Sequence, residues 1–212
     1  MTHRHVTKAA TWSQRWLSLG RSLARDNLAS VTIEFAVVGP MTIAAIVAIL
    51  HTALVFMAQQ GLQSAAESAG RLIMTGQAQK YSGSNYTGMT ADDFKKAICG
   101  QLTGFPTLLP PFLTCDKLYV DVSIANSHAN AVTSAPTFSY NSGGSVTNTF
   151  GYSPGTAGPG VMAAGGTTQV VVVRLMYLWP TATAPMGFNL VNQQGSNRLL
   201  TASTVLVTEA YQ

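Results

Sequence analysis

The sequence predicts an α+β chain. A long N-terminal transmembrane helix extends into a small extracytoplasmic head built on an antiparallel β-sheet. Three observations carry this. From Phe35 to Ala58 there are 24 residues without Lys, Arg, Asp or Glu. Beyond them the apolar residues recur at helical spacing as far as Ile73. Further on, one β-branched run and two alternating runs read as strands.

Composition narrows the function classes. Charged residues make up 9% of the 212 residues, far below the roughly 25% of ordinary soluble domains. That balance argues against a typical cytosolic enzyme. The net charge of +4 is concentrated in residues 1–29, where Arg4, Lys8, Arg15, Arg21 and Arg25 face Asp26 alone. The rest of the chain is neutral, with seven basic and seven acidic residues. The basic character therefore belongs to a leader, and no basic patch for nucleic acid is expected on the body.

The apolar segment is long enough to cross a bilayer. At 1.5 Å per residue it makes a helix of about 36 Å, against a hydrocarbon core of about 30 Å. Eleven of its residues are Leu, Ile, Val or Phe, contributing on the order of −3 to −7 kcal/mol toward insertion. A buried helix of a soluble domain seldom runs so far without a charge. A secretory signal peptide has a shorter apolar core and a small-residue cleavage site after it. The basic flank precedes the segment, so the positive-inside bias puts the N-terminus in the cytoplasm and the head outside. Pro40 removes one backbone donor and is expected to kink the helix near Ala36.

The helix is expected to continue past the membrane. Leu62, Ala65, Ala66, Ala69, Leu72 and Ile73 keep one apolar face, with Gly76 as the stop signal. The expected organisation is a basic cytoplasmic leader at 1–29, a transmembrane helix at 30–58, its extension at 59–76 and a head at 77–212. Within the head, residues 126–168 are rich in Gly, Ser, Thr, Asn and Pro and read as a long exposed loop with room for a short hairpin.

The strands are assigned by alternation. In residues 116–126, Leu118, Val120, Val122 and Ile124 face one way; Tyr119, Asp121 and Ser123 face the other. The run QVVVVRLMYLW at 169–179 reads as a central strand, with Arg174 at an edge or paired with Asp121 or Glu209. In residues 198–211, Val205 and Val207 alternate with Thr204, Leu206 and Thr208. Asp92 and Asp93 mark the start of a helix ending near Cys99. Cys99 and Cys115 are the only cysteines, and outside the membrane a disulfide is the expected reading. A loop of about 15 residues closed in this way gains roughly 3 kcal/mol.

No chemistry-bearing motif survives inspection. Two cysteines without adjacent His do not close a four-ligand zinc site. His51 in the apolar segment reads as a polar residue facing a partner helix, and His128 has no evident companion. Gly151-Tyr152-Ser153-Pro154-Gly155 fits G-x-S-x-G, but the nucleophile elbow needs the backbone N–H that Pro154 lacks. No P-loop, H-E-x-x-H or dinucleotide fingerprint occurs, so neither a cofactor nor an enzyme is expected.

The lone carboxylate Glu34 at the threshold of the apolar helix is the unusual feature, because an ionisable group there is a functional hypothesis by default. The order of elements is a basic leader, Leu28-Ala29-Ser30, Val31-Thr32-Ile33-Glu34-Phe35 and the long helix. It resembles the class III signal of type IV pilin-like proteins, and more closely TadE-like pseudopilins of the Tad (tight adherence, Flp) pilus system. In that family the helix begins with a Glu-Phe pair followed by a Pro, and Glu34-Phe35 with Pro40 match. The stretch QSAAESAGRLIMTG fits the family's Ala-rich, Arg-bearing continuation. The resemblance covers residues 28–75 and, faintly, 170–211.

The resemblance implies a pilin-like fold and an assembly role as a minor pilin or pseudopilin. It also implies a prepilin peptidase cut between Ala29 and Ser30, leaving Glu34 fifth in the mature chain. Where the family has Gly before the cut, this chain has Ala29, so slower cutting is expected. The implied partners are other pilin subunits, the prepilin peptidase, the Tad secretion platform and the lipid bilayer. The implied place is the bacterial inner membrane, with the head in the periplasm, or the pilus itself. A different class of function, an uncut anchor carrying a binding or adhesion domain, fits the same head.

Overall fold

The computed structural model describes residues 27–82, 88–125, 127–155, 170–181 and 187–207. The basic leader up to residue 26, residues 126 and 156–169, and Glu209 lie outside them. Helix α1 runs from Asn27 to Met74, α2 from Gln77 to Lys80 and α3 from Ala91 to Ile98. Strands β1 (Leu118–Ala125), β2 (Val170–Pro180) and β3 (Asn197–Val207) form an antiparallel sheet in the order β1-β2-β3. The fold is therefore α+β, with β2 central. The chain divides into two compact units, one up to Ile49 and one from Leu50 on, and α1 contributes residues to both.

In the second unit the core follows from the helical spacing. Leu62, Ala65, Ala66, Ala69 and Ile73 are fully buried against Val171, Val173, Leu175 and Tyr177 of β2. Burying a side chain such as Leu62 or Ile73 stabilises by about 1.5–3 kcal/mol. Three alanines in this stripe let helix and sheet approach closely. Gly70 extends the approach, since a Cβ there would stand 2.9 Å from Thr204 Cγ2 and 3.1 Å from Leu206 Cδ2. The helix stops where Gly76 takes a left-handed conformation (φ 73°), which costs glycine little.

The alternation expected in β3 is present, with its even-numbered residues toward the helix. Leu200, Ala202 and Leu206 are buried toward the helix, whereas Val205 is among the exposed residues. The strand carries apolar residues at both parities. The close fit of Thr204 and Leu206 onto Gly70 selects the even-numbered set.

Most of residues 127–155 are exposed, and they contain a short hairpin. They turn back through Asn141, where Tyr140 bridges Val146, and lay Phe138 over Met176 and Leu178. Phe138 meets Tyr119 edge to face at 5.5 Å and lies 5.5 Å from Phe150. Because β2 is apolar on both faces, its second face needs such a cover.

On that outer face Asp121 stands opposite Arg174 in the β1-β2 register. Arg174 Nε donates to Asp121 Oδ2 at 3.0 Å and Nη1 donates to the Ser134 carbonyl at 3.0 Å. Asp121 Oδ1 accepts the Gly151 N–H at 2.9 Å. Asp121 is therefore buried, and Ile124, expected inside, is exposed near the end of the strand. Of the two acids offered for Arg174, Asp121 is the partner seen.

The stretch around Ser153 runs beside the edge of the sheet and makes an isolated bridge to it. Tyr152 pairs in parallel with Val122 beside β1, through Val122 N–H to the Gly151 carbonyl and Ser153 N–H to the Val122 carbonyl. The Tyr152 ring packs on Phe94 at 5.3 Å. Burial, with a lesser push from Asp93, raises the Tyr152 pKa well above that of a free tyrosine. The folded chain then keeps this proton where the unfolded chain releases it, so stability falls as pH rises above about 10. Burial raises Tyr119 and Tyr140 in the same direction. Tyr152→Phe is expected to flatten part of the alkaline loss, by up to about 1.4 kcal/mol per pH unit. Denaturant titrations of both chains between pH 8 and 11 would show this; parallel curves would refute it.

Cys99 and Cys115 form a disulfide with Cα atoms 5.8 Å apart. It ties the end of α3 to the turn preceding β1. Inside the loop, Leu108 and Leu109 donate their N–H groups to the Ile98 carbonyl, and Leu109 and Leu113 are buried. Helix α3 starts at a capping box that composition alone did not single out. Thr90 accepts from Asp93 N–H, and Asp93 accepts from Thr90 N–H, each at 3.2 Å. The signal was present as T-x-x-D.

Candidate functional site: the exposed N-terminal helix

The first unit presents an apolar helix with little to cover it. Only 11% of the most apolar window of α1 is buried by the rest of the chain. Phe35 is 77% exposed, and Val31, Ile33, Val37, Val38, Met41, Ile43 and Ile46 are all exposed. A core helix of a soluble protein would hide such residues. This surface has the length and composition of a membrane anchor and of a face for other helices.

Glu34 is exposed and is the one charge in this surface from Val31 to Gln60. Helical geometry sets Val37, Val38 and Met41 on its side, so the carboxylate has apolar neighbours along α1. Ser30 lies four residues before it, one turn away on the same side. Phe35 lies against Gly39. Thr42 Oγ1 donates to the Val38 carbonyl at 2.9 Å, satisfying the hydroxyl within the helix. The helix continues through Pro40.

The helix begins at Asn27, seven residues before Glu34. Leu28 and Ala29 are strong helix formers, which favours the extra turns. The bond between Ala29 and Ser30 consequently lies within the first turn. That turn has no intrahelical partners for its N–H groups and is the least costly part of the helix to unwind.

The family model described as TadE-like protein matches residues 29–71. Residues 29–71 are similar to the TadE-like family. The match begins at Ala29 and ends at Arg71, within α1. It therefore takes in Glu34, Phe35, Pro40 and the alanine stripe, and leaves the three strands outside. No curated protein and no solved structure matches the chain. Cys99, Cys115, Asp121 and Arg174 lie beyond the matched residues and hold the head together.

Proposed function

We propose that the chain is a minor pilin or pseudopilin of a Tad-type pilus or a related secretion apparatus. The observation that carries the reading is the TadE-like α1 itself: a helix apolar and exposed on most sides, with Glu34 as its one charge near the start. In this reading residues 30–58 cross the bacterial inner membrane, 59–76 extend into the head, and 77–212 form a periplasmic head. The leader 1–29 stays in the cytoplasm until a prepilin peptidase removes it. Other pilin subunits, engaged through α1, and the Tad secretion platform are the partners. A bend at Pro40 would let neighbouring helices pack at different depths.

Cleavage between Ala29 and Ser30 would give Glu34 its role. The cut creates an amine at Ser30, costly near lipid unless paired. Glu34, one turn along the same helix or on a neighbouring subunit, supplies the opposite charge. The helical backbone at the cut site and Ala29 favour the alternative of an uncut anchor with an adhesion or binding head.

The test is the intact mass of the membrane-extracted protein, in wild type and Glu34→Ala. A wild-type chain starting at Ser30, with pilus assembly lost in Glu34→Ala, is expected. A chain that retains residues 1–29, together with a fully assembling Glu34→Ala, would leave only the anchored head.

A further inference from the structure

We infer that the head binds the phosphate of an anionic phospholipid at Arg198, in a groove between α1 and β3. This goes beyond the pilin reading but rests on α1 being a membrane anchor. The groove has a volume of about 280 Å³ and is walled by Val55, Phe56 and Gln59 of α1 and by Leu190, Arg198 and Leu200. It has room for a glycerophosphate head but not for acyl chains. Those have a way out past Phe56, which lines the groove and is exposed on α1.

Depth and charge both point to a lipid. Gln59 is where the apolar surface of α1 turns polar, and its Nε2 donates to the Thr201 carbonyl on the groove wall at 2.6 Å. Arg198 therefore sits at headgroup level. Its Nη1 donates to the Leu190 carbonyl at 3.2 Å, and it has no carboxylate partner among the described residues. A guanidinium carries five donors and stays charged, so an anion with several oxygens suits it. Across the sheet Trp179 pairs with Arg198 in register. Trp is the residue enriched at membrane interfaces, and the exposed Phe112 lies near Gly61 of α1 at a similar level. A second copy of the apolar helix lying parallel would keep its one charge, Glu34, 25 residues before Gln59 and so about 38 Å along the helix from Arg198.

The experiment uses the full chain in mild detergent, mixed with phosphatidylglycerol or phosphatidylcholine micelles and weighed by native mass spectrometry. Phosphatidylglycerol is expected to be retained about fivefold over phosphatidylcholine, the effect of one basic residue near an anionic lipid. Arg198→Gln should erase that preference and Arg198→Lys should keep most of it. Thr52→Phe, which fills the groove from the α1 side, should lose both lipids. Retention of neither lipid, or a preference that survives Arg198→Gln, overturns the inference. So does displacement of the lipid by millimolar inorganic phosphate, which would make this a site for a free anion. Loss of binding in Arg198→Lys as well as Arg198→Gln would also count against it, since the charge would then not be what is read. A carbonate wash separates the premises. A chain that stays in washed membranes without lipid preference defeats only the groove, whereas a chain released by carbonate defeats the anchor.

Discussion

Asp121→Ala is expected to destabilise the head by about 3–5 kcal/mol, because it leaves the Arg174 guanidinium buried without its counter-charge. Both side chains are mostly out of solvent, with the Asp121 side chain 10% and the Arg174 side chain 13% exposed. Asp121 also receives the Gly151 N–H, so the same change frees the segment that pairs with Val122. For a unit of this size the loss corresponds to a midpoint lowered by on the order of 10 °C. The measurement is thermal unfolding of the full chain in detergent. The cause can be separated from the loss by a second variant. Asp121→Leu with Arg174→Met replaces the pair by apolar groups and should recover most of the stability. A single Asp121→Ala that costs less than about 1 kcal/mol, the range of an exposed pair, would show that the charges are solvated after all.

The second large effect is at the disulfide. Cys99→Ser or Cys115→Ser is expected to cost about 2–5 kcal/mol. The bridge joins residues 16 apart, so closing the loop restricts the unfolded chain. It also holds Leu109 and Leu113 in the core, and these lose their anchor when the ends separate. Unfolding with and without reductant is the direct measurement, and reductant should reproduce the cysteine variants. If reduced and oxidised chains unfold at the same denaturant concentration, the loop is held by its apolar contacts alone.

Much of this architecture is legible in the residues. The stripe from Leu62 to Ile73 reads correctly because a helix has one period and one buried face. The run from Val170 to Trp179 reads as central because only a strand covered on both sides can be so apolar. The faces of β3 are not legible in the same way. Leu200 and Leu206 lie at one parity and Val205 and Val207 at the other, and the choice depends on Gly70, distant in sequence. Residues 127–155 read as exposed from their small polar residues, and most of them are, but the part that covers the sheet was harder to see. The three aromatics Phe138, Tyr140 and Phe150 were the contrary signal, and the two-sided apolarity of β2 was its explanation. Arg198 had no signal at all, because its meaning comes from the depth of Gln59 beside it. At Glu34 the sequence and the exposed helix agree on what is odd, a single charge on an apolar surface.

The contact between Gln59 and Thr201 joins residues 142 apart. At synthesis rates of about 5–20 residues per second, the interval between making the two is on the order of 10 s. Throughout that time the apolar stripe of α1 has no β3 to close against, and over the last part of it β2 waits with an unpaired edge. The head cannot mature piece by piece from its N-terminal end. It remains an open, sticky intermediate until its last described strand arrives. Any factor that shields nascent chains would meet it in that interval, and a ribosome stalled before Asn197 would release a fragment whose natural fate is aggregation or proteolysis.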